Sequence, residues 1–195
     1  MNSTNTDQKN IVTSIEGAIY NLPDNSKIVK AYVPFDNFGY FIVDSVAVDS
    51  ANIMRLDLQP VPSDFLFNVN YYFGNFTYIE ISDTSANVNF LSIASIFDSS
   101  GNISGEIIKD NSHQVNYNET DFTCVQHLYC DRDVIISGVN EVITISGTSL
   151  LRVSYDLGKG WNVVSSRQTN YGEIFSFSGE RIPGLRWNFE SNKGK

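Results

Sequence analysis

The sequence predicts an all-β protein built from one or two antiparallel β-sandwich lobes, with little or no helix. Aromatic residues make up 13% of the 195 residues, a bias that suits half-buried, pleated surfaces. Apolar and polar residues alternate with period two along most of the chain, and turn-forming residues interrupt the alternating runs at spacings of about ten residues. Windows of about eleven residues lack the apolar stripe of an amphipathic helix. These observations favour many short strands packed as a sandwich.

The first part of the chain is predicted to form a disordered leader and an N-terminal β-sandwich lobe. Residues 1–10 are polar and lack the apolar segment of a signal peptide, so we expect a disordered leader. Alternation predicts strands over residues 11–20, 28–33, 40–48 and 53–58, with a hairpin turn at residues 36–39. Pro60 and Pro62 cannot donate to a central ladder, so we place the end of this lobe, residues 11–60, at that point.

Residues 61–195 are predicted to form a C-terminal β-sandwich lobe. The lobe opens with residues 64–74, an aromatic stretch without a clear period that we interpret as a packed connector. Residues 98–102 are predicted to form a hairpin turn, and residues 110–120 a polar loop. The predicted strands of this lobe span residues 78–81, 88–97, 103–109, 122–129, 134–137, 142–146, 150–157, 161–165, 174–177 and 186–189.

The charge balance argues against nucleic acid or a membrane surface as a partner. The formal net charge is −9, and the 13 Lys and Arg residues are scattered along the chain. Phosphate contacts need clustered cations, and an anionic membrane would repel this chain. The sequence has no apolar run of about 18 residues, so we expect no transmembrane segment. The charge is interpreted as an aid to solubility, with acidic loops that hold Ca²⁺ as the alternative.

Residues suited to nucleophilic catalysis are few, and their spacing is unfavourable. Cys124 and Cys130 lie on one predicted strand, roughly 20 Å apart if it is extended, whereas a disulfide needs about 4.4–6.8 Å. We therefore expect two free thiols. His127 is interpreted as a residue on the sheet surface, and His113 as a solvated loop residue. A Cys124/His127 pair would lie on opposite faces of the strand, so we predict no catalytic residues and no enzymatic activity.

A metal or cofactor site is not predicted. Cys124, His127, Cys130 and Asp131 lie close in sequence but do not match the ligand spacing of a zinc finger. Asp131 and Asp133 carry oxygen ligands that Ca²⁺ could use. We favour the interpretation that these aspartates cap a turn.

An aromatic cluster is the candidate ligand-binding site. Exposed Tyr and Trp rings stack on sugars in many binding modules, and a platform of this kind could form within the predicted connector. Burial in the core is the alternative for the cluster and also for Trp161 and Trp187. The candidate residues are Phe65, Phe67, Tyr71, Tyr72 and Phe73.

Short patterns typical of exported proteins also occur. The N-x-[ST] pattern appears at Asn75, Asn102 and Asn118, as chance allows in an Asn-rich chain. Residues 44–46 (DSV) and 49–51 (DSA) have the form used for O-glycosylation by exported proteins of Bacteroidetes-type bacteria.

Several longer segments resemble exported lipoproteins of Bacteroidetes. Residues 15–24 (IEGAIYNLPD) resemble their G-x-I-x-N-L-P-D opening, and residues 42–48 (IVDSVAV) their V-D-S-x-x-V strand. Residues 129–138 (YCDRDVIISG) resemble a Y-x-D-R/K-D-V-x-I-x-G strand pair. Residues 156–164 (DLGKGWNVV) resemble a D-L-K-K-G-W-N-x-V hairpin, and residues 184–187 (GLRW) a closing G-x-K-W strand. These motifs are turns and strands rather than catalytic signatures.

The resemblance implies a non-catalytic β-sandwich lipoprotein that is exported and anchored at the bacterial outer membrane or cell surface. The anchor would be a lipidated Cys preceding this chain. Such a protein would act as an accessory or binding subunit, with an outer-membrane protein complex or a surface glycan as its partner. A carbohydrate-binding module that uses exposed aromatics is the alternative, and a hydrolase of unknown substrate is the third hypothesis.

Overall fold

The chain folds as an all-β protein, as predicted. A computed structural model describes residues 11–24, 28–35, 39–96, 103–111, 122–144, 147–169, 174–179 and 182–191. It is 67% strand and 6% helix, and within the described ranges no helix reaches seven residues. Several predictions fall outside these ranges: the leader, most of the turns at 36–39 and 98–102, the loop from residue 112 onward with His113, and the patterns at Asn102 and Asn118.

The strands follow the predicted alternation closely. In the first half of the chain they are β1 (Ile11–Val12), β2 (Ser14–Tyr20), β3 (Ile28–Phe35), β4 (Gly39–Ala47), β5 (Ile53–Asp57), β6 (Phe67–Asn68), β7 (Ile79–Ile81), β8 (Asn87–Phe90) and β9 (Ser92–Ile96). In the second half they are β10 (Ile103–Asp110), β11 (Phe122–Cys130), β12 (Val134–Thr144), β13 (Gly147–Leu157), β14 (Gly160–Thr169), β15 (Ile174–Ser178) and β16 (Arg186–Ser191).

The helical residues of the described chain lie in the predicted connector, residues 64–74, and at the residue just before it. A 3-10 turn covers Ser63–Phe65, and a five-residue helix, α1, covers Val69–Phe73. Asn68 caps α1, since its side-chain oxygen accepts a hydrogen bond from the backbone N–H of Asn70 at 3.0 Å. The short helix exposes Tyr71, leaves Tyr72 half-buried and buries Phe73.

Two predicted strands form one continuous strand, β12. Gly138 was expected to separate two strands, but β12 runs through it and pairs continuously with β13 from Val134 to Thr144. Gly138 has φ 150°, and a Cβ there would collide with the backbone oxygen of Tyr78. The glycine therefore admits the chain at β7 beside β12 rather than ending the strand.

The strands form one curled sheet with a second small sheet attached. The main path runs β4-β3-β9-β10-β11-β14-β15-β13-β12-β7. The small sheet pairs β2 with β5, and β16 connects it to β10. Two described pairs, β13–β15 and β2–β16, are parallel, and the other pairs are antiparallel.

Strands before Pro60 pair with strands after it. β1 pairs with β14, β3 with β9 and β2 with β16. Hydrogen-bonded ladders thus connect the two segments that the sequence divides at residue 60.

Buried side chains of the described residues form two clusters. The second core lies within residues 69–164, whereas the first core combines the early chain with later strands. The first core consists of Ile15, Ile19, Leu22, Val29, Ala31, Val33, Val43, Met54, Leu56, Leu58, Val61, Ile93, Ile107, Tyr129, Trp161 and Trp187. The second core consists of Val69, Phe73, Ala86, Val88, Leu128, Cys130, Val134, Ile136, Leu151, Val153, Tyr155, Leu157 and Val164.

Strand β11 lies between these two cores. Leu128 and Cys130 belong to the second core, whereas Tyr129 belongs to the first. Successive side chains of a strand point to opposite faces, so this part of β11 is covered on both sides. For that reason the four consecutive residues 127–130 are all buried.

Candidate functional site

Seven aromatic rings from five elements and a turn form a contiguous surface, which we call the aromatic ladder. Tyr71 stacks on Phe67 with ring centroids 4.9 Å apart, and Phe67 stacks on Phe35 at 5.6 Å. Offset-stacked and edge-to-face pairs of this kind stabilise one another beyond their buried area. The ladder consists of Phe35, Phe41, Phe65, Phe67, Tyr71, Tyr72 and Phe90.

A buried asparagine fixes the ladder to the sheet. Asn89 is 1% exposed, and its side-chain N–H groups donate to the carbonyl oxygens of Pro34 and Phe65, both at 2.9 Å. Its side-chain oxygen accepts from the hydroxyl of Tyr72 at 3.1 Å. The amide thus connects β3, the 3-10 turn and α1, and it satisfies the backbone carbonyls of Pro34 and Phe65.

The five candidate residues differ in exposure. Tyr71 is 64% exposed, whereas Phe65, Phe67 and Tyr72 are half-buried. Burial, together with the neighbouring Tyr71, raises the pKa of Tyr72 to about 12. Phe73 is buried and turns into the second core. The structure therefore brings four of the five candidates together on the ladder.

Three members of the ladder were absent from the candidate set. Phe35 and Phe41 come from the β3–β4 pair, and Phe90 ends β8. No local spacing relates them to residues 65–72. No sequence signal marked Asn89, because a polar residue between Val88 and Phe90 in a strand is expected to face solvent.

The two cysteines are free thiols, as predicted, and both are engaged in hydrogen bonds. The Cys124 sulfur lies 2.9 Å from the Ser166 hydroxyl, and the Cys130 thiol donates to the Arg132 carbonyl at 2.8 Å. Burial raises the pKa of both thiols, that of Cys130 to about 11. Both therefore remain protonated and weakly nucleophilic near neutral pH.

His127 is buried, which corrects the expectation that it lies on the sheet surface. It is 7% exposed, and its ring stacks on Trp187 with centroids 6.0 Å apart and planes 11° apart. Burial and the cation of Lys109 lower the pKa of His127 to about 4, so the imidazole is neutral. The reason is that Trp187 of β16 covers this face of β11 at His127, and no local pattern reveals that β16 pairs with the neighbouring β10.

The acidic residues after β11 cap turns, in agreement with the favoured interpretation. Asp131 accepts hydrogen bonds from the backbone and side chain of Asn87 at 3.0 and 2.9 Å and from Arg132 at 3.0 Å. Burial acts to raise the pKa of Asp131, but these hydrogen bonds outweigh it and the pKa is lowered. Asp133 accepts from the backbone of Lys159 at 2.9 Å. Within the described ranges, no group of three or more His, Cys, Asp or Glu could hold a metal ion.

Residues of the resembling segments meet in the first core. The indole N–H of Trp161 donates to the Gln59 carbonyl at 2.8 Å, and its ring packs edge-on against Tyr129 at 5.2 Å. A Cβ on Gly17 would lie 2.5 Å from Cδ1 of Trp187, so the glycine allows β2 to approach that indole closely. Both tryptophans are buried in the core, so neither ring is exposed for stacking on a sugar.

The short export patterns lie at the surface where they are described. Ser45, Ser50 and Asn75 are exposed. Asp44 accepts hydrogen bonds from the backbones of Ser45 and Asp57, at 2.7 and 2.8 Å. The described part of the chain contains no helix long and apolar enough to cross a bilayer.

Comparison of the chain with protein-family models, with curated proteins and with solved structures gave no match.

Proposed function

We propose that the protein acts without catalysis, as a binding or accessory subunit exported to the bacterial outer membrane and held there by a lipid anchor. The observation that carries the non-catalytic role is that, within the described residues, the side chains best suited to chemistry serve packing. The thiols of Cys124 and Cys130 are neutral and hydrogen-bonded, and His127 is buried against Trp187. Catalytic groups instead have pKa values matched to a proton or electron-pair transfer.

The export and the anchor rest on the resembling motifs. In support of that resemblance, Gly17 of the opening motif contacts Trp187 of the closing motif, and Tyr129 contacts Trp161 of the hairpin motif. Motifs that share one core constrain one another, which gives a physical reason for their occurring together in one chain.

Fractionation of the producing cells tests the localisation. The protein is expected in the outer-membrane fraction, with a mass increase at an N-terminal Cys that corresponds to a diacylglycerol and a fatty acid. A protein of unmodified mass in the cytosolic fraction would contradict the proposal. Chemical cross-linking in the same cells should join the chain to an outer-membrane protein.

Glycan binding on the aromatic ladder is the second candidate function. It is favoured by Tyr71, which combines 64% exposure with a ring held in place by stacking on Phe67 at 4.9 Å. A preorganised ring face loses little side-chain entropy when a sugar ring packs against it.

Affinity electrophoresis in gels that contain different polysaccharides tests the glycan hypothesis. We expect at least one polysaccharide to retard the protein and Tyr71→Ala to abolish the retardation. Tyr78→Ala is the matched control, because Tyr78 is 72% exposed and lies outside the ladder. Retardation that survives Tyr71→Ala, or that is absent from every gel, would rule out the ladder as a glycan site.

A further inference from the structure

Strands β4, β3, β9 and β10 lie side by side at one end of the main sheet and cover the first core with one face. Val29, Ala31 and Val33 of β3 point into that core, so the alternate residues of β3 point to the opposite face. We call this opposite face of the four strands the outer face. It carries the exposed or partly exposed side chains of Ile28, Lys30, Tyr40, Ile42, Ile103 and Glu106.

The outer face exposes several large apolar side chains. Four of the ten large hydrophobic residues that are exposed in the described part of the chain lie on it: Ile28, Tyr40, Ile42 and Ile103. Tyr40 also packs edge-on against Tyr32 of the neighbouring strand, with ring centroids 5.6 Å apart. Exposed apolar side chains are unremarkable when they lie singly, whereas several on one face mark an interaction surface. The outer face therefore has the composition of a docking surface.

The residues of the outer face are arranged symmetrically about β9. Ile28 of β3 and Ile103 of β10 pair with the same residue of β9, one on each side of it. Lys30 and Glu106 likewise flank Ala94, two residues earlier in β9. Opposite residues in an antiparallel ladder point to the same face. One row across β9 thus ends in two isoleucines, and the next row ends in two opposite charges.

Lys30 and Glu106 make no ion pair within the described chain, where the ion pairs join other residues. Two strand spacings, about 10 Å, separate their backbones. Ala94 between them is fully buried, so the two longer side chains form the surface of this row. A charge of each sign is therefore available to a partner on the outer face.

A second copy of the chain presents the complementary arrangement. A two-fold rotation about an axis along β9 places β10 of one copy over β3 of the other. Ile103 then meets Ile28, and Glu106 meets Lys30, on both sides of the axis. The same patch serves both copies, as a closed, isologous interface requires.

The size of the outer face fits a weak dimer. Four strands spaced about 4.8 Å apart and the eight residues of β3, rising about 3.3 Å each, give a footprint of about 500 Å² per copy. Two such faces bury about 1,000 Å² in total, which is the lower limit for a specific protein–protein interface. We expect reversible association in the micromolar range rather than an obligate dimer.

We propose that the outer face is a homodimer interface, in which Lys30 and Glu106 of one copy pair with Glu106 and Lys30 of the other. The interface is separate from both proposed functions, because the aromatic ladder meets β4 through Phe41, which packs on the first-core side. A protein that stays monomeric would leave the lipid anchor and glycan binding untouched.

Sedimentation equilibrium of the full chain, from about 1 µM to about 1 mM, measures the association. The average mass should rise from that of the 21.8 kDa monomer towards twice that value. Ile103→Ser should weaken association by about tenfold or more, because the dimer loses two apolar contacts. Ile28→Ser, on the other side of the axis, should do the same. Ile135→Ser, at an exposed position of β12, is the matched control and should leave association unchanged.

Charge reversal tests the pairing of Lys30 with Glu106 directly. Lys30→Glu and Glu106→Lys should each weaken self-association by about tenfold or more, because each places like charges together at two symmetric positions. An equimolar mixture of the two variants should associate about as tightly as the wild type, because both positions of the mixed dimer then join opposite charges. A contact between these residues within one chain would not produce that recovery.

A wild-type protein that sediments as a monomer up to about 1 mM would overturn the homodimer, and this result needs no variant. A dimer that both Ile28→Ser and Ile103→Ser leave unchanged would place the interface elsewhere and overturn it as well. Mixed charge variants that associate no more tightly than either variant alone would rule out the two-fold arrangement. Circular dichroism of each variant confirms that a weakened association does not come from unfolding.

Discussion

The two cores are assembled differently, although they share strand β11. The first core packs residues from both ends of the described chain around Trp161 and Trp187, with Ile15 near one end and Trp187 near the other. The second core lies within residues 69–164 and is largely aliphatic. Closing the first core requires β2, β5 and β16 to meet. The two buried tryptophans therefore lie in the first core, whose contacts join residues that are far apart in the sequence.

The largest expected effect is on the first core. Trp187→Ala should lower the free energy of unfolding by about 3–5 kcal/mol, because it removes a buried indole that packs on both His127 and Gly17. Urea denaturation measures the loss, and Trp187→Phe should show a smaller one. A loss below about 1 kcal/mol would mean that the first core closes without the indole.

The second core should tolerate truncation slightly better. Leu128→Ala should cost about 2–5 kcal/mol, since Leu128 is fully buried on the other face of β11. Ile135→Ala, at a residue 51% exposed, is the control and should stay within about 0.5 kcal/mol of the wild type. Equal losses for Leu128→Ala and Ile135→Ala would contradict the burial of the second face.

The pH dependence of the free energy of unfolding tests the burial of His127 on the first-core face of β11. His127 has its folded pKa lowered to about 4 from 6.5, so the unfolded chain takes up the proton first as the pH falls. The contribution of His127 to the free energy of unfolding is therefore fully present above pH 6.5 and is lost as the pH falls towards 4. Between pH 7.5 and 4.5 the wild type should lose about 2–3 kcal/mol more than His127→Phe. Parallel losses would show that the histidine titrates normally.

The smallest expected effect concerns the fit between β2 and Trp187. Gly17→Ala should cost about 1–3 kcal/mol, because the added methyl group would overlap the indole edge. The penalty should shrink in a Trp187→Phe background, and a double-mutant cycle measures that coupling. An equal penalty in both backgrounds would show that the two residues do not contact.

Sequence alternation predicted most of the fold because the strand period is local. It predicted β3, β5, β10 and β13 to within a few residues, and it failed at Gly138, where a glycine serves close approach rather than a break. The aromatic site was only partly predictable. Residues 65–73 are adjacent in sequence, whereas Phe35, Phe41 and Phe90 join them through sheet pairing.

The central claim is that β11 is covered on both faces, so that His127 serves packing rather than chemistry. Titration of its imidazole resonances by nuclear magnetic resonance tests this claim most directly. The account predicts that the ring remains neutral down to a pH of about 4, with its pKa lowered from 6.5. A midpoint near 6.5, as for a solvated histidine, would contradict it.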